Sequence, residues 1–163
     1  IKEFNKEIPI NLQDLDVITK TQNRTCYYTP PYEDAEMQEW QEPCIIPNHE
    51  YEDFIDGIDL TGYGYIDGKF HIQIAIRNRL ENDNHGSFYL VDKEGNERDY
   101  DYSVDWRNTT KVSENNKRVD YYEYVFDIPQ DEISNYKLYG EFVTSEGTIK
   151  GNWQVTFPLE NID

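Results

Sequence analysis

The stretch Phe70-His71-Ile72-Gln73-Ile74-Ala75-Ile76 decides the fold. In an extended chain, successive side chains point to opposite faces. Phe70, Ile72, Ile74 and Ile76 therefore share one face, and His71, Gln73 and Ala75 share the other. Such strict alternation predicts a strand with an apolar core side and a second side turned to solvent. The preceding run, Asp59 to Ile66, meets it through Asp67-Gly68. That dipeptide suits the positive φ angles of a type I′ turn, so the two runs form a hairpin. Asn82 to Gly86 ends the second run with turn formers.

Further runs continue in the same manner. Ser87 to Asp92 is short and apolar and closes on the turn Lys93-Glu94-Gly95-Asn96. Glu97 to Trp106 alternates Tyr100, Tyr102, Val104 and Trp106, and a polar loop from Arg107 to Lys117 follows. Arg118 to Ile128 points Tyr122, Tyr124, Phe126 and Ile128 one way until Pro129 stops it, and Pro129 to Tyr136 has room for one helical turn. Lys137 to Thr144, a turn at Glu146-Gly147, and Ile149 to Leu159 complete the set, with Trp153, Val155, Phe157 and Leu159 on one face. Seven runs with turns about every ten residues predict an all-β, immunoglobulin-like antiparallel sandwich of about seven strands. A closed barrel is the alternative. Within Gly62-Tyr63-Gly64, the paired glycines point to a bulge or a close strand approach rather than to a nucleotide loop, since no helix follows.

Residues 1–57 read differently, as an N-terminal loop-rich arm added to the sandwich of residues 58–163, all within one compact domain. Glu7 to Thr21 offers one or two strands, and Asp34 to Gln41 a short helix. Asn23 to Glu52 is loop-like, with Pro30, Pro31, Pro43 and Pro47. Phe4 to Ile10 echoes Trp153 to Leu159, each placing an aromatic before an apolar-Pro-apolar triplet. The echo is either the trace of a preceding copy of the fold or a coincidence. Cys26 and Cys44 are the only cysteines. An even pair in a Tyr-rich β-chain points to a disulfide in an oxidising compartment, which would stabilise by roughly 3 kcal/mol. Two buried thiols are the alternative, and a metal site would need His49 and a fourth ligand.

Composition limits function. The chain has 163 residues, enough to bury roughly 70% of the surface its unfolded form exposes. Its 14 Tyr, 7 Phe and 3 Trp argue for a folded chain despite a net charge of -18. Thirty-three acidic residues against 15 Lys and Arg leave no basic stripe, which speaks against nucleic acid and against an anionic membrane surface. Acidity of this degree favours solubility, cations or a basic partner. No apolar run is long enough to span a bilayer. Beginning at Ile1 rather than Met, the chain reads as a fragment or mature form.

Catalytic patterns are weak. The histidines at 49, 71 and 85 lie in no nucleophile context, and His71 reads as a solvent-side strand residue. Glu81, Asp83, His85, Gly86, Ser87 and Asp92 match the spacing of a calcium loop, but with the wrong residue types and flanking strands, so a plain turn accounts for them. The expectation is therefore a non-enzymatic domain without cofactor or metal. Candidate ligand-binding residues are Tyr27, Tyr28, Tyr32 and Trp40, because exposed Tyr and Trp offer large contact area at low entropic cost. The same rings would serve equally to pin the arm onto the sandwich.

Three segments carry a resemblance: His85-Gly86-Ser87-Phe88-Tyr89-Leu90-Val91-Asp92, Tyr122-Glu123-Tyr124-Val125-Phe126-Asp127-Ile128-Pro129, and Gly151-Asn152-Trp153-Gln154-Val155-Thr156-Phe157-Pro158-Leu159-Glu160. Through them the region from Ile58 to Glu160 resembles the C-terminal extracytoplasmic domain of an uncharacterised family of membrane-anchored, anti-sigma-factor-like proteins of Gram-positive bacteria. The resemblance implies a cytoplasmic region and one membrane span elsewhere in a longer protein, with this part at the cell surface. It brings no catalytic or binding residues, and the cysteine-bearing arm departs from the pattern. On this footing the chain is expected to be a binding or sensing module that meets a protein or cell-wall ligand, without direct membrane contact. A carbohydrate-binding module or a passive spacer is the alternative.

Overall fold

Phe70 to Ile76 lies in the middle strand of a five-stranded sheet, with Phe70, Ile72, Ile74 and Ile76 in the core. The computed structural model describes residues 2–48, 53–55, 57–77, 84–108 and 118–144. In chain order its strands are β1 (Lys2–Glu7), β2 (Thr21–Tyr28), β3 (Gln38–Ile45), β4 (Asp53–Ile55), β5 (Ile58–Ile66), β6 (Lys69–Arg77), β7 (His85–Val91), β8 (Glu97–Asp99), β9 (Tyr102–Arg107), β10 (Val119–Phe126) and β11 (Lys137–Thr144). One short helix, α1 (Gln130–Ile133), follows Pro129. One sheet runs β1-β11-β7-β8 and the other β4-β5-β6-β10-β9, every neighbouring pair being antiparallel. β2 and β3 form a separate two-stranded hairpin. The fold is an all-β antiparallel sandwich, and neither sheet closes into a barrel among the described residues.

Between the sheets, Phe88, Leu90, Leu138 and Phe142 from one side meet Phe70, Ile72, Ile74, Ile76, Tyr124 and Phe126 from the other. Edge-to-face contacts tie Phe88 to Tyr124 and to Phe142, with centroids 5.6 Å and 5.8 Å apart. Phe142 fits because Gly86 lies opposite it and Gly140 two residues before it. A Cβ at either glycine would collide with its ring. Ile8, Leu12, Leu15, Ile128 and Ile133 complete the core. After β1 the chain runs beside β5, where the Tyr65 amide donates to Asp16 O and the Ile18 amide to Tyr65 O.

Local expectations meet the structure in several places. Asp67 and Gly68 have φ of 49° and 78°, as a type I′ turn requires. The β5–β6 register shifts between Leu60 and Gly62, which is the bulge expected there. The run Glu97 to Trp106 is not one strand. It leaves the first sheet after Asp99 and joins the second at Tyr102. Asp101 fixes this corner: its amide donates to Val125 O at 2.9 Å and its carboxylate accepts from the Asp127 amide at 2.6 Å. The helix expected over Asp34 to Gln41 is absent. Tyr32 to Ala35 forms a turn with Asp34 at φ 61°, and Gln38 onward is strand. The final run 149–159, with Trp153, lies outside the described residues, as do Glu81 and Asp83 of the calcium spacing.

Candidate functional site

Within residues 1–57, β1 and β4 join the two sheets, and β2 and β3 form a hairpin laid across the outer face of the five-stranded sheet. Alternation sends His71, Gln73 and Glu123 out through that face, where Glu123 pairs in register with Gln73. Gly62 makes the approach possible: a Cβ there would lie 2.6 Å from Cγ2 of Ile45. Ile45 ends β3, and side chains satisfy its backbone, those of the sheet together with Gln22 of β2, whose Nε2 donates to the Ile45 carbonyl at 3.2 Å. Its amide donates to Glu123 Oε1 and Oε2 at 3.0 and 3.3 Å, and its carbonyl accepts from Gln73 Nε2 at 2.8 Å. Gln73 Nε2 also donates to Glu123 Oε1 at 2.8 Å, and Thr61 Oγ1 donates to Gln73 Oε1 at 2.6 Å. His71 Nδ1 lies 2.7 Å from Glu123 Oε2, so with Glu123 as carboxylate that ring nitrogen carries the proton. Thr61, His71, Gln73 and Glu123 are all buried. Polar groups so deep are tolerable because each bond is made, and the network fixes the hairpin at its base.

Cys44 joins this base. It is buried, and burial first, then the Glu123 charge and hydrogen bond, push its thiol far above the ordinary range. Cysteine, histidine and carboxylate thus stand together, yet the thiol is held protonated and shielded, the reverse of an activated nucleophile. The expected Cys26–Cys44 disulfide is not formed; both are free thiols. Register explains why. Cys44 faces Gln22 and Cys26 faces Trp40, so the two sit four residues apart along the ladder. That is about 13 Å at the strand rise, well beyond the roughly 7 Å over which Cα atoms can be bridged. His71, expected at solvent, is instead buried because the hairpin covers it.

Farther along the hairpin, contacts move from β5 and β10 to the edge strand β9. Tyr102 donates its hydroxyl to Glu42 Oε1 at 2.7 Å, and Trp40 Nε1 donates to Glu42 Oε2 at 3.1 Å. Burial and the Glu42 bond push the Tyr102 hydroxyl well above its ordinary range. Lys69 Nζ lies 5.4 Å from the Tyr102 ring centre. The Arg24 guanidinium lies 4.4 Å above Trp106, which stacks on Tyr121 at 5.3 Å and 9°.

Toward the hairpin's far end the large side chains are exposed. Tyr27 is 60% exposed, Tyr28 51%, Tyr32 66%, Met37 60% and Trp40 38%. All four sequence candidates therefore gather at the hairpin's far end rather than packing on the sandwich. Tyr28 and Trp40 share one face of the ribbon, whereas Tyr27 lies on the other beside Glu39. Sequence reasoning missed the clamp that holds this tip. Its only trace was the polar set His71, Gln73 and Glu123 at alternate positions on a face with no other stated role.

A groove of about 490 Å³ lies elsewhere, between Ile8, Leu12, Lys93, Tyr136 and Leu138. Asp92 at its rim is occupied by its own turn, accepting from the amides of Glu94 and Asn96. No family model, curated protein or solved structure matches this chain.

Proposed function

We propose that this chain is an extracytoplasmic binding or sensing module of a membrane-anchored, anti-sigma-factor-like regulator, and that it meets its protein or cell-wall ligand through the tip of the β2–β3 hairpin. One observation carries the reading: five large apolar side chains stand exposed at the end of an element whose base is locked by a buried polar network. Exposed apolar clusters of this kind mark interaction surfaces, and a rigid base lowers the ordering cost of contact. The regulatory setting rests on the family resemblance alone.

The test is a reporter of sigma-dependent transcription in cells carrying the full-length protein. Tyr27→Ser, Tyr28→Ser and Tyr32→Ser together should uncouple the reporter from envelope stress while the protein stays folded and abundant. An unchanged response under every stress tried would sink the proposal. The carbohydrate-binding alternative draws on Tyr28 and Trp40, which share a face. Retention on a glycan array that disappears with Trp40→Ala would favour it, and no retention would leave the spacer.

A further inference from the structure

We infer that the hairpin tip seats a Lys- or Arg-rich segment of a partner protein, an inference that rests on the reading of the tip as a binding surface. Between Thr25 and Asn48 the chain carries Glu33, Asp34, Glu36, Glu39 and Glu42 and no Lys, Arg or His. Glu42 is consumed by Tyr102 and Trp40, whereas Glu33, Asp34, Glu36 and Glu39 are exposed around the rings. Ring and carboxylate are placed as a pair. Tyr27 and Glu39 are direct cross-strand partners on one face. Side chains so placed have Cβ atoms about 5 Å apart, so a cation lying on the Tyr27 ring also reaches the Glu39 carboxylate.

The molecule already uses this chemistry where the same hairpin meets its own sheet. Arg24 lies over Trp106, and Lys69 lies over Tyr102 beside Glu42. The tip offers the complementary half of such contacts, rings and carboxylates, with the cations left out. Tyr28 and Trp40 share one face of the ribbon, and Tyr27 with Glu39 lies on the other. Rings on both faces suit a partner that wraps the hairpin or receives it in a cleft.

A net charge of -18 attracts any polycation, so the test must separate seat from bulk field. Deca-arginine is titrated into the intact chain and amide NMR shifts are followed. Shifts should centre on residues 27–40. A variant with Glu33→Gln, Asp34→Asn, Glu36→Gln and Glu39→Gln should bind about tenfold more weakly; asparagine tolerates the positive φ at position 34. The Tyr27→Ser, Tyr28→Ser, Tyr32→Ser variant, with charge unchanged, should also bind several-fold more weakly. Shifts spread over the whole acidic surface, with both variants binding like the parent, would overturn the inference, as would no shift at 27–40. If chitohexaose shifts those amides and deca-arginine does not, the basic partner fails while the tip remains a binding surface. A reporter whose stress response is unchanged by the Tyr27→Ser, Tyr28→Ser, Tyr32→Ser variant, while deca-arginine binds the parent tip as expected, would instead remove the regulatory reading.

Discussion

Glu123 is placed where water cannot reach it, and it is kept there by donors from one neighbouring strand of the sheet, β6, and from β3 of the hairpin. Replacing it with alanine leaves the Ile45 amide and the His71 ring without that acceptor, and one Gln73 proton as well. Removing one partner of a buried charged network typically costs about 3–5 kcal/mol. Urea unfolding of Glu123→Ala at neutral pH should show a loss of that size. Tyr27→Ser, which touches only the exposed tip, should change stability by less than about 0.5 kcal/mol. At this scale the sequence was legible for Phe70, Ile72, Ile74 and Ile76, because one apolar face suffices to orient a strand. It was not legible for His71, since a polar residue on the second face is equally at home in water or in a satisfied network.

At the scale of the element, the hairpin is the part least readable in the sequence. Its prolines and acidic residues suggested loop and helix, yet β2 and β3 pair over eight residues each. Propensity lost to tertiary context: the ribbon is stabilised by what it lies on, through Ile45, Arg24 and Glu42, more than by its own composition. Two thiols on this element report its movement. Cys26 is half-buried and Cys44 fully buried, and both thiols are raised chiefly by burial. Maleimide should label Cys26 at least about tenfold faster than Cys44 in native buffer, because thiolate character and access set the rate. Sub-denaturing urea should speed Cys44 labelling before the core unfolds if the clamp opens as a unit. Denatured protein should give two reactive thiols without reductant.

For the whole molecule, alkaline pH is the telling variable. Burial, and then the nearby charges of Asp131 and Glu132, push the Tyr65 hydroxyl from its ordinary 10 to about 12. Its bond to Ile128 O ties β5 to the strand end before α1. Between those values the unfolded chain loses the proton and the folded chain keeps it, so the folded state binds more protons and stability falls as pH rises. The contribution is intact below pH 10 and lost through about 12, and Cys44 and Tyr102, also raised, act with the same sign. Unfolding midpoints measured from pH 8 to 12 should decline in that window, and Tyr65→Phe should flatten part of the decline.

What the sequence by itself determined is the sandwich: alternation named the inner faces, and Asp67-Gly68, Gly95 and Pro129 named where strands stop. These are local facts, written within a few residues of where they act. What only the tertiary structure decided is which segment covers the second face of β6 and β10, and hence what stays in water. That depends on a hairpin tens of residues away lying down across Gly62 and meeting Glu123. Period-two alternation records that a face exists, but burial of a polar face is a property of the contact, and no single strand carries it.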